Sequence, residues 1–176
     1  MTLLFFFSAL GAFNGFLLSL FFAIQAKKKE FANYYLSLLL LVLSVRIAKS
    51  VFFYFNPDLA NIFIQIGLSA CILIGPLLYL YLKSFSVKKT KWFWHVTPYL
   101  VSITLLGIIY PYVENQLIWS NWIVCVIYLQ WFIYIALSIK YILPILKRGK
   151  ERLKKIDLWL LSIFLGVAFI WIAYTL

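Results

Sequence analysis

Acidic side chains are scarce in this chain. Its 176 residues hold five, Glu30, Asp58, Glu114, Glu151 and Asp157, each at or outside the edge of a long apolar run. That excludes paired buried carboxylates for general acid–base work and a carboxylate proton relay through a membrane. Histidine is reduced to His95 and cysteine to Cys71 and Cys125, without a Cys-x-x-Cys, so no metal site is legible. His95 reads as an interfacial or structural residue, and the cysteines as small packing groups. The seven glycines build neither a phosphate-binding loop nor a nucleophile elbow. No cofactor is implied and no enzymatic activity is expected. Charged residues make up only 12%, where a soluble domain carries roughly a quarter.

What fills the chain instead is apolar: 65% hydrophobic and 20% aromatic residues, with a mean hydropathy of +0.99. The apolar residues fall in six runs, Leu3–Gln25, Tyr34–Phe55, Ala60–Leu82, His95–Tyr110, Trp119–Leu143 and Asp157–Leu176. Most reach the ~20 residues that cross a ~30 Å hydrocarbon core. They are too long and too continuously apolar for the ~10-residue alternating strands of a barrel. In lipid the backbone must satisfy its own hydrogen bonds, so the expected fold is all-α, a polytopic bundle of six transmembrane helices forming a single domain over residues 1–176.

The net charge of +11 sits in alternate gaps. Lys27, Lys28 and Lys29 fill the first. Lys83, Lys88, Lys89 and Lys91 fill the third, and Lys147, Arg148, Lys150, Arg152, Lys154 and Lys155 the fifth. The second and fourth gaps hold no cation. The positive-inside rule puts the loaded gaps in the cytoplasm and the N-terminus outside, in a bacterial inner membrane. These charges serve orientation and anionic headgroups, so the lipid bilayer is the expected partner and this chain makes no nucleic-acid contact of its own. The first run lacks a basic leader and exceeds a signal-peptide core, so it reads as an anchor. Trp92, Phe93, Trp94, Tyr110, Tyr112, Trp119, Trp122 and Trp159 read as an interfacial aromatic belt.

Two cations break the pattern. Arg46 falls ~18 Å along the second run, near the bilayer centre, with Lys49 three residues on and thus on the same helical face. A cation at that depth costs at least ~2.5–3.5 kcal/mol on insertion scales, and no acid lies at matching depth. One reading is a ligand site, an anion-receptive cavity of Arg46 and Lys49 to which Gln65 and Gln130 add polar contacts. The other is structural: Lys49 snorkels outwards, and backbone carbonyls, glutamines and aromatic faces hold Arg46. Gly11, Gly15 and Asn14 read as a helix-packing stripe on the first run, within the chain or between protomers of a homodimer. Gly75-Pro76 interrupts the third run as a kink or hinge.

Several short motifs occur in an order that resembles a known family. They are Leu4 to Leu20 with FFFSALGAFNGFLLSL at its core, LSVRIAKS over Leu43–Ser50, YFNPDL over Tyr54–Leu59 and QIGLSAC over Gln65–Cys71. IYPY over Ile109–Tyr112, IYLQWF over Ile127–Phe132 and WLLSIFLG over Trp159–Gly166 follow. Together they resemble the membrane domain of the AraC-type helix-turn-helix regulators of Bacteroidetes-like bacteria. That resemblance implies a multi-span sensor joined to a cytoplasmic DNA-binding domain. No helix-turn-helix occurs in these residues, and six spans leave the end at Leu176 outside. A seventh span and the DNA-binding domain are therefore expected beyond it. The alternative function is a small transporter or channel for an anionic or amphiphilic solute, although no inverted repeat is visible.

Overall fold

The computed structural model describes residues 2–26, 31–56, 61–86, 91–147 and 154–175. Among them are six helices long and apolar enough to cross a bilayer, and no strand. They are α1 (Thr2–Gln25), α2 (Phe31–Phe55), α3 (Asn61–Ser84), α4 (Trp92–Ile109), α5 (Val124–Leu146) and α6 (Lys155–Thr175). A π-helical turn, Ile118–Ile123, runs directly into α5. This is the architecture of a multi-pass α-helical membrane protein. Each segment satisfies its own backbone, the condition for crossing lipid.

Several helices outrun the apolar segments that predict them. α2 starts at Phe31 and α4 at Trp92, each three residues before its run, while α3 continues to Ser84. Hydropathy marks the hydrocarbon core, whereas a helix persists into the interface, where its last polar groups reach water. Most of the loop cations, and Asp58, Glu30 and Glu151, lie outside the described residues, as do the expected seventh span and DNA-binding domain.

α3 is the hub. It packs against α2, α4, α5 and α6, while α1 leans on α2 alone. Leu68, Ile72, Ile74, Leu78 and Leu82 are buried along α3. Gly75 lets α5 come close: a Cβ there would stand 3.1 Å from the Trp131 Cα and 3.0 Å from the Tyr134 Cβ. α3 runs as one helix through Gly75-Pro76. Pro76 removes one backbone donor, and Gly75 provides the close approach.

The seam between α1 and α2 uses only part of the expected packing stripe. Gly15 faces Ser44, which an added Cβ would strike, but Gly11 has open space around it and Asn14 is exposed. Ala12 and Ser19 are buried instead. The contacting positions are Ala12, Gly15 and Ser19, spaced three and four apart, which holds one face of a 3.6-residue helix. Gly11 and Asn14 fall beside that face. Reciprocal bonds close the seam: the Ser19 hydroxyl donates to the Ser37 carbonyl at 2.9 Å, and the Ser37 hydroxyl to the Ser19 carbonyl at 2.8 Å.

Candidate functional site

Arg46 sits where four helices meet. It lies nine residues before the Phe55 end of α2, ~14 Å from that end at 1.5 Å per residue. Its side chain is 9% exposed. From its own helix, Nη1 donates to the Ser50 hydroxyl at 3.3 Å, and that hydroxyl donates back to the Arg46 carbonyl. From α6, the Tyr174 ring lies 4.8 Å from the guanidinium carbon, a cation–π arrangement. Cys71 of α3 and Tyr128 of α5 turn polar groups towards the guanidinium. Among the described residues no carboxylate interacts with it.

A cavity of about 220 Å³ opens beside this residue. Arg46, Trp131 and Tyr174 share its wall with apolar groups such as Leu43, Ile74 and Phe169. Two donors here are buried without a partner: the Arg46 Nε–H and the indole N–H of Trp131, a residue with 0% exposure. Trp171 clasps α6 to α5, its indole donating to the Tyr128 carbonyl at 3.0 Å. α2 and α6 do not pack backbone against backbone; the Arg46 and Tyr174 side chains reach across the gap.

The other three predicted residues go elsewhere. Lys49 shares the Arg46 face, but its stem lies against Gly67 of α3 and its ammonium 5.9 Å from the Phe53 ring, one turn nearer the helix end. Gln65 does not reach Arg46. Its Oε1 accepts the Tyr112 backbone N–H at 3.3 Å and its amide nitrogen presses on Gly107, so it tethers the segment after α4. Gln130 is buried on α5 with both amide atoms unpaired, and it does not line the Arg46 cavity. Gln65 lines a separate groove of about 740 Å³ between α2 and α4, which is apolar apart from Gln65, Ser69 and Thr104.

Sequence reading missed the partners that complete the arginine site, Trp131 and Tyr174, because packing aromatics and binding aromatics look alike in a run. It also missed a polar cluster nearer the other end of the bundle. There His95 Nδ1 lies 3.2 Å from the Tyr134 hydroxyl, and Tyr79 packs against His95, Tyr134 and Tyr141. The spacing of Tyr134 and Tyr141, seven residues on one face of α5, is the signal that was available. Of the expected aromatic belt, Trp94 and Trp122 are outermost, at 73% and 76% exposure. Trp119 departs from it: the π turn carries it inward to 0% exposure, and its indole donates to the Tyr110 carbonyl at 2.7 Å. Cys71 is buried and Cys125 exposed, and both are free thiols.

Compared with known proteins, the chain matches no family model, no curated protein and no solved structure.

Proposed function

We propose that this chain is the membrane-embedded sensor domain of a bacterial transcription regulator of the AraC type, seated in the cytoplasmic membrane. It relays occupancy of the Arg46 site to a DNA-binding domain beyond these residues. The observation that carries the reading is Arg46 itself, a buried cation without an acidic partner among the described residues, bridging α2 to α6 across a cavity. Burying an unpaired charge costs several kcal/mol in practice, so an anion entering the cavity gains by supplying the counterion. It also alters a contact that joins two helices not otherwise packed together. A ligand that binds one α2–α6 spacing better than another shifts the population between them. The ordered motifs that resemble those of the regulator family are the ground for the output side of the reading.

A homodimer fits the same reading. Asn14 is exposed on α1 beside the open Gly11. An amide facing lipid gains a partner when another helix brings one.

The test is made in the bacterium that encodes the protein. Deleting the gene is expected to change the transcription of a defined set of genes, and Arg46→Leu at the native locus to reproduce that change at normal protein abundance. A deletion without transcriptional effect overturns the regulator reading. Anion flux through vesicles holding the purified chain replaces it by transport.

A further inference from the structure

We propose that the Arg46 cavity is a binding site for a small apolar monocarboxylate, with Arg46 and Trp131 each supplying a donor to one end of the molecule. The inference names a ligand class for the site used in the functional reading above, but the binding it predicts stands whether or not the chain regulates transcription.

The donors define the head of the ligand. Arg46 Nη1 is engaged with Ser50, and Cys71 and Tyr128 turn polar groups towards the guanidinium, whereas its Nε–H is buried and unpaired. Trp131 borders the same cavity, and its indole N–H is likewise buried and unpaired. A buried donor without an acceptor forfeits the hydrogen bond it would have in water. Indole and guanidinium only donate, so the missing partner is an acceptor. The guanidinium stays protonated under all conditions, so the favoured acceptor is an anion. A carboxylate brings two oxygens to two orphan donors and suits the planar edge of a guanidinium. A phosphate brings more charge and at least one further oxygen, against a remainder of the cavity that is apolar apart from Tyr174.

The walls define the tail. Leu43, Ile47, Ile74, Phe169, Ile170 and Ala173 form the apolar part of the lining, and Tyr174 is the one other lining residue with a polar side chain. The volume of about 220 Å³ sets the size. A dry cavity of ~150 Å³ takes benzene, so this one takes roughly eight to ten non-hydrogen atoms. Benzoate and hexanoate fall in that range. A long-chain fatty acid has to leave most of its tail outside.

The full chain in lipid nanodiscs is titrated with sodium benzoate by calorimetry, with benzyl alcohol as the neutral probe of the same shape and inorganic phosphate as the probe of charge alone. Saturable benzoate binding is expected. Benzyl alcohol is expected to bind roughly 10- to 100-fold more weakly, the scale of a hydrogen bond to a charged group. Arg46→Leu is expected to lose binding by a similar factor and Trp131→Phe by roughly 2- to 10-fold. Phosphate is expected not to bind. Equal affinity for benzoate and benzyl alcohol overturns the proposal on the unaltered chain, so the test survives a variant that fails to fold. Phosphate binding as tightly as benzoate, or benzoate binding that Arg46→Leu leaves intact, also overturns it. Benzoate binding without any transcriptional effect of Arg46→Leu retains the site and removes the regulator reading. A transcriptional effect without benzoate binding does the reverse.

Discussion

Arg46 and Lys49 lie three residues apart on one helix and meet different fates, because a long side chain is placed by what its tip can reach. The Lys49 stem covers Gly67 while its ammonium moves towards the helix end, the usual compromise of an apolar stem and a charged head. Arg46 is held inward by Ser50 and Tyr174. Burying a charge costs several kcal/mol of desolvation, and removing one that has no counterion removes that cost. Arg46→Leu is therefore expected to keep or raise the thermal midpoint of the purified chain in detergent. A large fall would make Arg46 a structural tether. Gly75 is the opposite case, since the Trp131 backbone stands 3.1 Å from where a Cβ would go and a backbone cannot rotate away. Gly75→Ala is expected to destabilise by ~1–3 kcal/mol, the usual penalty of overpacking, as read from denaturation in mixed micelles.

At the scale of elements, the α1–α2 seam tests whether contacts are assigned to the right face. Gly15 meets Ser44, whereas Gly11 meets nothing. Gly15→Val is expected to loosen α1 from α2, read as faster proteolysis between the two helices in detergent, while Gly11→Val leaves the rate unchanged. Equal sensitivity at both positions would place the seam wrongly. The serine pair is worth less. Replacing Ser19 and Ser37 by alanine is expected to cost ~0.6 kcal/mol per bond, the average across membrane helices. The π turn at Ile118–Ile123 does more than extend α5, because it buries Trp119 against the segment after α4, and the Trp119–Tyr110 and Gln65–Tyr112 bonds tie that segment down.

For the whole molecule, the described cations outside Arg46 and Lys49 gather at one end of the bundle. Lys83 lies in the last turn of α3, Lys140 nearly two turns before the end of α5 and Lys147 just after it, and Lys91, Lys154 and Lys155 stand at the starts of α4 and α6. The positive-inside rule leads to the prediction that this end faces the cytoplasm. A single cysteine at residue 2, in a variant lacking Cys71 and Cys125, is expected to react in intact cells with a maleimide that cannot cross the membrane. One at residue 88 is expected to react only after lysis. The reverse pattern would invert the bundle.

The number of spans, their all-helical character and the isolation of Arg46 and Lys49 were legible in the sequence. Each follows from the transfer cost of single residues summed along a run, and no neighbour is needed to compute it. The end of the bundle that collects charge follows in the same way. Tertiary structure decided which face of α1 packs, that Gln65 serves a loop, and that Lys49 leaves Arg46 behind. It also decided that Trp131 and Tyr174, 85 and 128 positions after Arg46 in the numbering, share a cavity with it. Those outcomes depend on the direction of one side chain relative to another helix. In six uniformly apolar segments, hydrophobicity is nearly the same on every face and does not choose among them. Close contacts at glycine and the few polar bonds make that choice.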